Sequence, residues 1–302
     1  MTQETFFPTL DETLYLRNST EDFIDTAVPG LPVLIGLRLL DLLKPWRWQG
    51  TSETRDWWRV RLAMILCPWI GLLWQRRVHQ LGQQHANHRL IDAVHASPAS
   101  SVVLTNGFDT IVRPLVAALG LAELPLVACA IGSPADRAVG KLMLATRALG
   151  EAGVSRALVV TDSLVDLPLL DRCARPFRTL WPNARYHHAL HRIYLPGMYL
   201  TEVKRPYQRY VLNGILAEDF AIWVLATIFT AAAPALHLLG LTLLLISFWT
   251  IYERGYADND EVGARYEKTP YFSPRYGQVR VATPSWTPWL WAVATGFAGL
   301  AL

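Results

Sequence analysis

The stretch Ala157-Leu-Val-Val-Thr-Asp-Ser-Leu-Val-Asp-Leu-Pro-Leu-Leu170 joins a short apolar run to a segment that carries two carboxylates. Residues 157–161 are mostly apolar and β-branched, a composition that is typical of a strand. Asp162 follows directly, so it would stand at the carboxyl end of that strand. The stretch therefore predicts a sheet that presents an acidic residue at one edge.

The same alternation of strand and helix extends over residues 100–182. Two more strands and two helices are predicted there, at Ser101–Thr105, Phe108–Gly120, Pro125–Ile131 and Ala138–Gly150. Strands that alternate with short helices favour a parallel sheet covered by helices, which is an α/β fold. Ligands bind at the carboxyl ends of such strands, where Thr105 and Asp162 would both lie.

The composition limits the class of protein. The chain has 302 residues, of which 52% are apolar and only 18% are charged, and its mean hydropathy is +0.20. These values exclude a disordered chain, which combines low hydrophobicity with high charge. The three cysteines are too few for a disulfide scaffold. A net charge of +3 is too small to indicate binding to nucleic acid.

The apolar excess is concentrated in the C-terminal third. Phe220–Tyr252 is a run of 33 residues without Asp, Glu, Lys or Arg. As one helix it would be roughly 50 Å long, against a hydrocarbon core of about 30 Å. It therefore predicts a helical hairpin that turns near Pro234–Gly240, or one long kinked span. A second uncharged run, Val281–Leu302, begins with three Trp and predicts a C-terminal span. The alternative for both runs is a buried core helix.

The charges around these runs predict an orientation. The first 20 residues carry four charged side chains and no apolar signal-peptide core, so the N-terminal part is expected to stay in the cytoplasm. Lys204, Arg205 and Arg209 precede the first run, and five more Lys and Arg lie in the predicted loop 253–280, in agreement with the positive-inside rule. We expect a multi-pass protein of a bacterial-type inner (plasma) membrane, with a cytoplasmic α/β domain and reduced cysteines.

Four motifs resemble those of the haloacid dehalogenase (HAD) superfamily, in its phosphoserine-phosphatase-like branch. Thr161–Leu170 looks like the fourth motif, and Val102–Leu115 resembles the second, a strand that ends in Ser or Thr. Gly140-Lys141 suits the third, lysine motif. Leu10-Asp-Glu-Thr-Leu14 resembles the tail of the first motif, Asp-x-Asp-x-Thr-Leu. The four occur in the family's order.

The resemblance implies a HAD-like parallel-sheet core with a helical cap insertion, followed here by C-terminal transmembrane helices. The implied domains are the core at 1–16 and 98–185, the cap at 17–97, a juxtamembrane linker at 186–219 and a transmembrane region at 220–302. Six of the 12 Trp lie in the cap segment, interleaved with arginines. This pattern suits either a helix pair on a membrane surface or a Trp-rich cap core.

The resemblance also implies phosphoryl transfer through an aspartyl-phosphate, with Mg²⁺ as cofactor. Asp11 takes the position of the acid/base and of a metal ligand, and Thr105 that of the phosphate-binding hydroxyl. Lys141 would neutralise charge on the phosphoryl group. Asp162 would be the main Mg²⁺ carboxylate, with Asp166 as a further ligand or as a residue behind it. Each of these residues also has an ordinary structural interpretation, such as a helix cap or a surface lysine.

The chain departs from the family at the nucleophile, where Thr9 replaces Asp. A Thr hydroxyl without an adjacent base is a poor nucleophile, and the change also removes one metal carboxylate. Pro8 precedes it, although Pro is unfavourable in a central strand. The chain is therefore either an altered enzyme or a catalytically inactive relative.

Two further clusters lie towards the C-terminal third. His187, His188 and His191 form a His-His-x-x-His pattern on a predicted helix, where an amphipathic juxtamembrane helix is favoured over a zinc site. Tyr256-Ala-Asp-Asn-Asp-Glu261 and Glu267 place carboxylates between the two apolar runs. Such a loop could bind Mg²⁺–diphosphate, as in intramembrane prenyltransferases, although a solvated loop is favoured.

Three functions follow as hypotheses. The first is a membrane-anchored, Mg²⁺-dependent phosphatase-type hydrolase that acts on a lipid or isoprenoid phosphomonoester. The second is a catalytically inactive scaffold or binding subunit of a membrane lipid or polysaccharide pathway. The third is a lipid-linked transferase that uses the acidic segment 256–267. The expected partners are the lipid membrane and a phosphorylated lipid or small molecule; the sequence identifies no protein partner.

Overall fold

The computed structural model describes residues 5–48, 50–97, 100–277 and 286–302. The chain divides into two compact units, Met1–Leu190 and His191–Leu302. The first unit contains a parallel sheet with helices around it, and the second unit is helical. The chain is therefore an α/β protein with a separate helical part.

In the described residues, five strands form two small parallel sheets that lie side by side: β1 (Thr5–Pro8), β2 (Val103–Phe108), β3 (Leu126–Cys129), β4 (Ala157–Thr161) and β5 (Arg175–Arg178). All their pairings are parallel: β4 lies between β1 and β5, and β2 pairs with β3. Single parallel bridges, Phe6 to Ser101 and Thr9 to Leu104, join β1 to the β2 side. The order is thus β3-β2-β1-β4-β5. It reverses between β1 and β4, and such a switch point is where open parallel sheets bind ligands.

The three predicted strands are confirmed, with two differences in detail. β2 extends to Phe108, so Thr105 lies inside the strand and the prediction that it stands at the carboxyl end is wrong. Pro8, expected to be unfavourable in a central strand, is the last residue of β1. The ladder continues past it because the Thr9 N–H donates to the Val160 carbonyl at 2.9 Å.

Five helices precede β2: α1 (Ser19–Asp25), α2 (Gly30–Leu43), α3 (Arg55–Leu66), α4 (Ile70–Gln84) and α5 (His88–His95). Three more accompany the strands: α6 (Asp109–Ala118), α7 (Pro134–Ser155) and α8 (Leu167–Leu170). The helix predicted at Ala138–Gly150 is longer than expected, and the backbone kinks inside it at Gly140, where φ is +75°. A left-handed φ of this kind favours glycine.

One apolar cluster supports the sheet. Its members come from β1, β2, β4 and the helices on one face of the sheet, and include Phe7, Leu104, Ala145, Val159 and Leu169. Each of these side chains is buried. Burial of this face fixes the register of the strands, since a shift by one residue would turn the apolar set away from the core.

The second unit contains α9 (Val211–Thr230), α10 (Pro234–Tyr266) and α11 (Thr287–Ala301). Helices α9 and α10 are both long and apolar enough to cross a membrane. α11 runs antiparallel to α10: Ser247 Oγ donates to the Ala292 carbonyl at 2.7 Å, and a Cβ at Gly299 would lie 2.8 Å from the Gly240 carbonyl oxygen. Glycines therefore allow the two helix backbones to approach closely.

Several sequence predictions for this half are wrong in detail. The turn lies at 231–233 rather than within Pro234–Gly240, because Pro234 begins α10, the position where a proline costs least. The predicted loop 253–280 is helical up to Tyr266. The His187–His191 segment is not helical. The run Val281–Leu302 is helical over Thr287–Ala301, and its residues 281–285 lie outside the described residues.

Candidate functional site

The turn after β1 meets the end of β4 at the switch point of the sheet. Thr9 Oγ1 donates to Thr13 Oγ1 at 2.9 Å, and Thr13 Oγ1 donates to Asp162 Oδ1 at 3.3 Å. This chain of hydroxyls links the predicted nucleophile position to the predicted metal carboxylate. The structure therefore brings the first and fourth motif segments together, although they are about 150 residues apart in the sequence.

Asp11 lies in the same turn and is held by the backbone. Its Oδ1 accepts a hydrogen bond from the Ser19 N–H at 2.6 Å. Burial raises the pKa of Asp11, while the hydrogen bond from the Ser19 N–H and the charges of Lys141 and Arg137 lower it in part. A carboxyl with a raised pKa is the kind of group that serves as a general acid.

Asp162 and Glu12 add two more carboxylates at this edge. Burial raises the pKa of Asp162; the charge of Lys141 and the Thr13 hydrogen bond act against this rise, and the charge of Asp166 adds to it. Burial also raises the pKa of Glu12, with further contributions from the negative charges of Asp162 and Asp11. Glu12 has a φ of +56°, so the turn contains a residue in the left-handed conformation between Asp11 and Thr13. The site therefore concentrates negative charge.

Lys141 supplies positive charge from α7, just after the kink at Gly140. Its Nζ donates to Asp166 Oδ2 at 2.6 Å, and Thr161 Oγ1 donates to the same oxygen at 2.5 Å. Asp166 is buried, and its Oδ2 is engaged by these two donors. Asp166 thus orients Lys141.

Thr105 lies on β2 beside the β1 turn. Its side chain is buried, and its Oγ1 accepts a hydrogen bond from the Gly107 N–H at 2.9 Å. A Cβ at Gly107 would lie 3.2 Å from Thr105 Oγ1 and 3.4 Å from Ser19 Oγ. Ser19 Oγ is buried and has no hydrogen-bond partner among the described residues. The two hydroxyls therefore lie near each other behind the Asp11 turn.

Arg137 was missed by the sequence reasoning. One guanidinium nitrogen donates to the Asn106 carbonyl at 2.6 Å, and another donates to Asp56 at 2.5 Å. The third, Nε, donates to the Glu53 carbonyl at 3.2 Å. Arg137 thus ties β2 to the first turn of α3 and to the segment just before it, and its charge also lowers the pKa of Asp11. A single arginine near the start of a helix belongs to no motif that would single it out.

Within the part of the chain that the structure describes, no base is hydrogen-bonded to the Thr9 hydroxyl. Its side chain is fully buried, and its Oγ1 is hydrogen-bonded only to Thr13 among the described residues. A hydroxyl needs a base or a metal to become a nucleophile. The departure noted in the sequence is therefore not compensated by a neighbouring base.

The three acidic residues of the segment 256–261 all form ion pairs within the second unit. Asp260 is buried and accepts from Tyr199 Oη at 2.8 Å and from Lys204 Nζ at 2.7 Å. Asp258 pairs with Arg254 at 2.5 Å, and Glu261 pairs with Arg265. These residues lie in the last turns of α10, where such pairs support the helix. This arrangement does not favour the transferase hypothesis.

Among the described residues, no three His, Cys, Asp or Glu side chains are grouped as a ready-made metal site. Comparison of the chain with protein-family models, with curated proteins and with solved structures returned no match.

Proposed function

We propose that the chain is a membrane-associated, HAD-like protein that binds a lipid or isoprenoid phosphomonoester at the switch point of its sheet, without turnover through an aspartyl-phosphate. One observation carries this proposal. Charged side chains that suit a phosphate are grouped near Thr9, but no base among the described residues is hydrogen-bonded to the Thr9 hydroxyl. Asp11, Asp162 and Lys141 are grouped at one edge, while the Thr9 hydroxyl contacts only Thr13.

The HAD-like assignment is supported by two independent features. The four motif-like segments occur in the family's order along the chain. The folded chain then brings the first, third and fourth of them to the edge where β1 and β4 end, as the contacts of Thr13 and the charge effects of Lys141 indicate. A parallel sheet with this strand order binds ligands at that edge.

Mg²⁺ fits this group of residues by donor chemistry. Asp11 and Asp162 are carboxylates whose ionised forms are disfavoured by burial, so a cation beside them would relieve that cost. Mg²⁺ commonly takes only one or two protein carboxylates and completes its shell with water and phosphate oxygens. When bound, it would neutralise charge on the phosphate.

The remaining phosphate contacts come from cations and hydroxyls of the chain. Lys141, whose ammonium group is held by Asp166, would neutralise a phosphate oxygen. The Thr105 hydroxyl accepts from Gly107 and keeps its own proton to donate. Thr105 lies on β2 and Lys141 lies on α7, so regular secondary structure would hold both groups in place before a phosphate binds.

The membrane association has support from both units. Helices α9 and α10 are candidate spans. In the first unit, a set that we term the cap patch consists of exposed apolar side chains of residues 28–72: Val28, Leu39, Leu42, Leu43, Trp48, Met64, Ile65, Leu66, Trp69 and Leu72. Trp69 Nε1 donates to the Val28 carbonyl at 2.8 Å, so its members come from different elements that touch. Exposed apolar surface with Trp is typical of membrane contact.

Binding of a phosphomonoester tests the proposal. The full chain in uncharged detergent with Mg²⁺ is titrated calorimetrically with dioctanoyl phosphatidate. Lys141→Met should weaken binding by about tenfold or more, because charge-assisted hydrogen bonds contribute about 1.5–3 kcal/mol. Arg147→Met is the matched control, since this exposed cation lies on the same helix and pairs with Asp136. Equal affinity of the wild-type and the Lys141→Met protein would contradict the proposal.

A second candidate function is hydrolysis without a covalent step. The raised pKa of Asp11 favours it, because a protonated carboxyl near Lys141 could protonate a leaving group. Phosphate release by the wild-type protein that Asp11→Asn abolishes would establish this candidate in place of the first. No release over background, together with tight binding, would leave the binding function.

A further inference from the structure

A pocket of about 420 Å³ lies in the second unit, outside the site described above. It is bounded by two segments of chain, 204–208 and 271–274. The lining includes Lys204, Arg205, Tyr207, Gln208 and Ser273. None of the described lining residues is acidic, and the pocket includes two cations and several hydrogen-bonding groups.

The two cations differ in how they are neutralised. Lys204 Nζ donates to the buried Asp260 carboxylate at 2.7 Å and lies 5.3 Å from the centre of the Tyr256 ring. Arg205 stacks over the Tyr210 ring at 5.4 Å, and its buried Nε has no hydrogen-bond partner among the described residues. Buried N–H groups are rarely left without an acceptor. The stacking holds the Arg205 side chain in one place, and Arg205 is also one of the residues that line the pocket.

The pocket lies at the end of the candidate membrane helices. Residue 208 is three positions before the start of α9, and residue 271 is five positions after the end of α10. The Tyr210 ring contacts the Trp249 ring at 6.0 Å, which places the start of α9 beside the end of the uncharged part of α10. Trp249, Tyr252 and Tyr256 form consecutive ring contacts at this level. Such aromatic groups mark the membrane–water boundary.

We propose that this pocket binds the phosphate of an anionic phospholipid headgroup, with Arg205 as the residue that recognises it. The two terminal nitrogens of an arginine guanidinium match two oxygens of a phosphate. The exposed hydroxyl of Tyr207 and the amide of Gln208 offer further hydrogen bonds at the rim. This inference concerns a different unit and a phosphodiester, and it does not rest on the function proposed for Asp11 and Asp162.

The test uses the purified full chain in uncharged detergent. Its thermal unfolding is followed while dioctanoyl phosphatidylglycerol is added, and in parallel arms while dioctanoylglycerol or inorganic phosphate is added. Half-maximal stabilisation by phosphatidylglycerol should require about tenfold more lipid, or more, in Arg205→Gln than in the wild-type protein. Arg209→Gln removes an equal charge four residues away and should change the lipid requirement less than about threefold.

Two more variants keep the test decisive if Arg205→Gln unfolds. Gln208→Glu introduces a negative charge at an exposed position of the lining and should weaken the lipid effect without unfolding the chain. Arg205→Lys keeps the positive charge, so this variant should retain most of the stabilisation by phosphatidylglycerol. An unchanged lipid requirement in both Arg205→Gln and Gln208→Glu would overturn the proposal. Stabilisation by inorganic phosphate at the same concentration as by phosphatidylglycerol would overturn the lipid as the source of the phosphate.

Discussion

At the scale of single residues, Thr9 is the position that would decide between phosphate binding alone and catalysis. It occupies the nucleophile position of the resemblance, and its hydroxyl contacts only Thr13 among the described residues. Thr9→Asp would place a carboxylate at the end of β1, where the Thr13 hydroxyl could donate to it. We expect the variant to release phosphate from dioctanoyl phosphatidate with Mg²⁺ on the order of a hundredfold faster than the wild-type protein.

The control for this gain of function is the double variant Thr9→Asp/Asp11→Asn. Asp11 would protonate the leaving group, so its loss should return the rate towards the wild-type level. Phosphate release is measured colorimetrically, and the covalent intermediate by mass spectrometry of the quenched protein. A Thr9→Asp protein that folds and binds phosphatidate but shows no added turnover would argue against the family's chemistry at this edge.

The carboxylates of the site also predict a dependence of stability on pH. Burial raises the pKa of Asp162 above its ordinary value of 3.8. At pH values between the ordinary and the raised pKa, the folded state therefore binds more protons than the unfolded state. In the absence of divalent cations, this group therefore makes the free energy of unfolding fall as pH rises from about 4 through the raised pKa. Asp162→Asn should flatten that fall in urea titrations at a series of pH values. A steeper fall in the variant would contradict the assignment.

At the scale of secondary-structure elements, a buried ion pair holds α3 against α1. Arg59 contacts Glu21 through two nitrogens, at 2.5 Å and 2.8 Å, and both side chains are buried. Tyr186 Oη and the Ala189 N–H donate to the same carboxylate, at 2.9 Å and 2.7 Å. Glu21 therefore joins two helices to the last segment of the first unit.

Removing one partner should leave a buried charge. Arg59→Met is expected to lower the free energy of unfolding by about 3–5 kcal/mol, as for other buried ion pairs that lose one partner. Arg113→Met is the control: its pair with Asp109 is solvent-exposed, and its loss should cost less than about 1 kcal/mol. Urea denaturation followed by circular dichroism measures both. Similar costs would show that the pair around Glu21 does not stabilise the unit.

At the scale of the whole molecule, both units are expected to meet the bilayer. α9 and α10 would do so as spans, and the cap patch by lying on the surface. In vesicles of brominated lipid, replacement of the exposed Trp48 and Trp69 by Phe should reduce the quenched part of the Trp fluorescence. Replacement of Trp46, which is only 7% exposed, should not. Equal effects of the two sets would indicate that the patch does not contact lipid.

The local part of the site could be predicted from the sequence. A β-branched run followed by Asp162 indicates a strand end because side-chain shape sets strand preference locally. The apolar runs likewise predict long helices, since transfer to lipid depends on composition. The bounds were less accurate: α10 continues through the predicted loop because ion pairs such as Asp258 with Arg254 support its last turns. Pairs of this kind depend on a helix already being present.

The sequence by itself determined the α/β class, the two apolar helices and the absence of a carboxylate at Thr9, because each of these depends on neighbouring residues. Only the tertiary structure decided that Thr13 bridges Thr9 to Asp162, that Arg137 and Glu12 belong to the site, and that Asp166 orients Lys141. The contacts of Thr13 with Asp162 and of Lys141 with Asp166 join residues that are distant in the chain. The first exists because parallel pairing brings the ends of β1 and β4 side by side, a juxtaposition that no local pattern encodes.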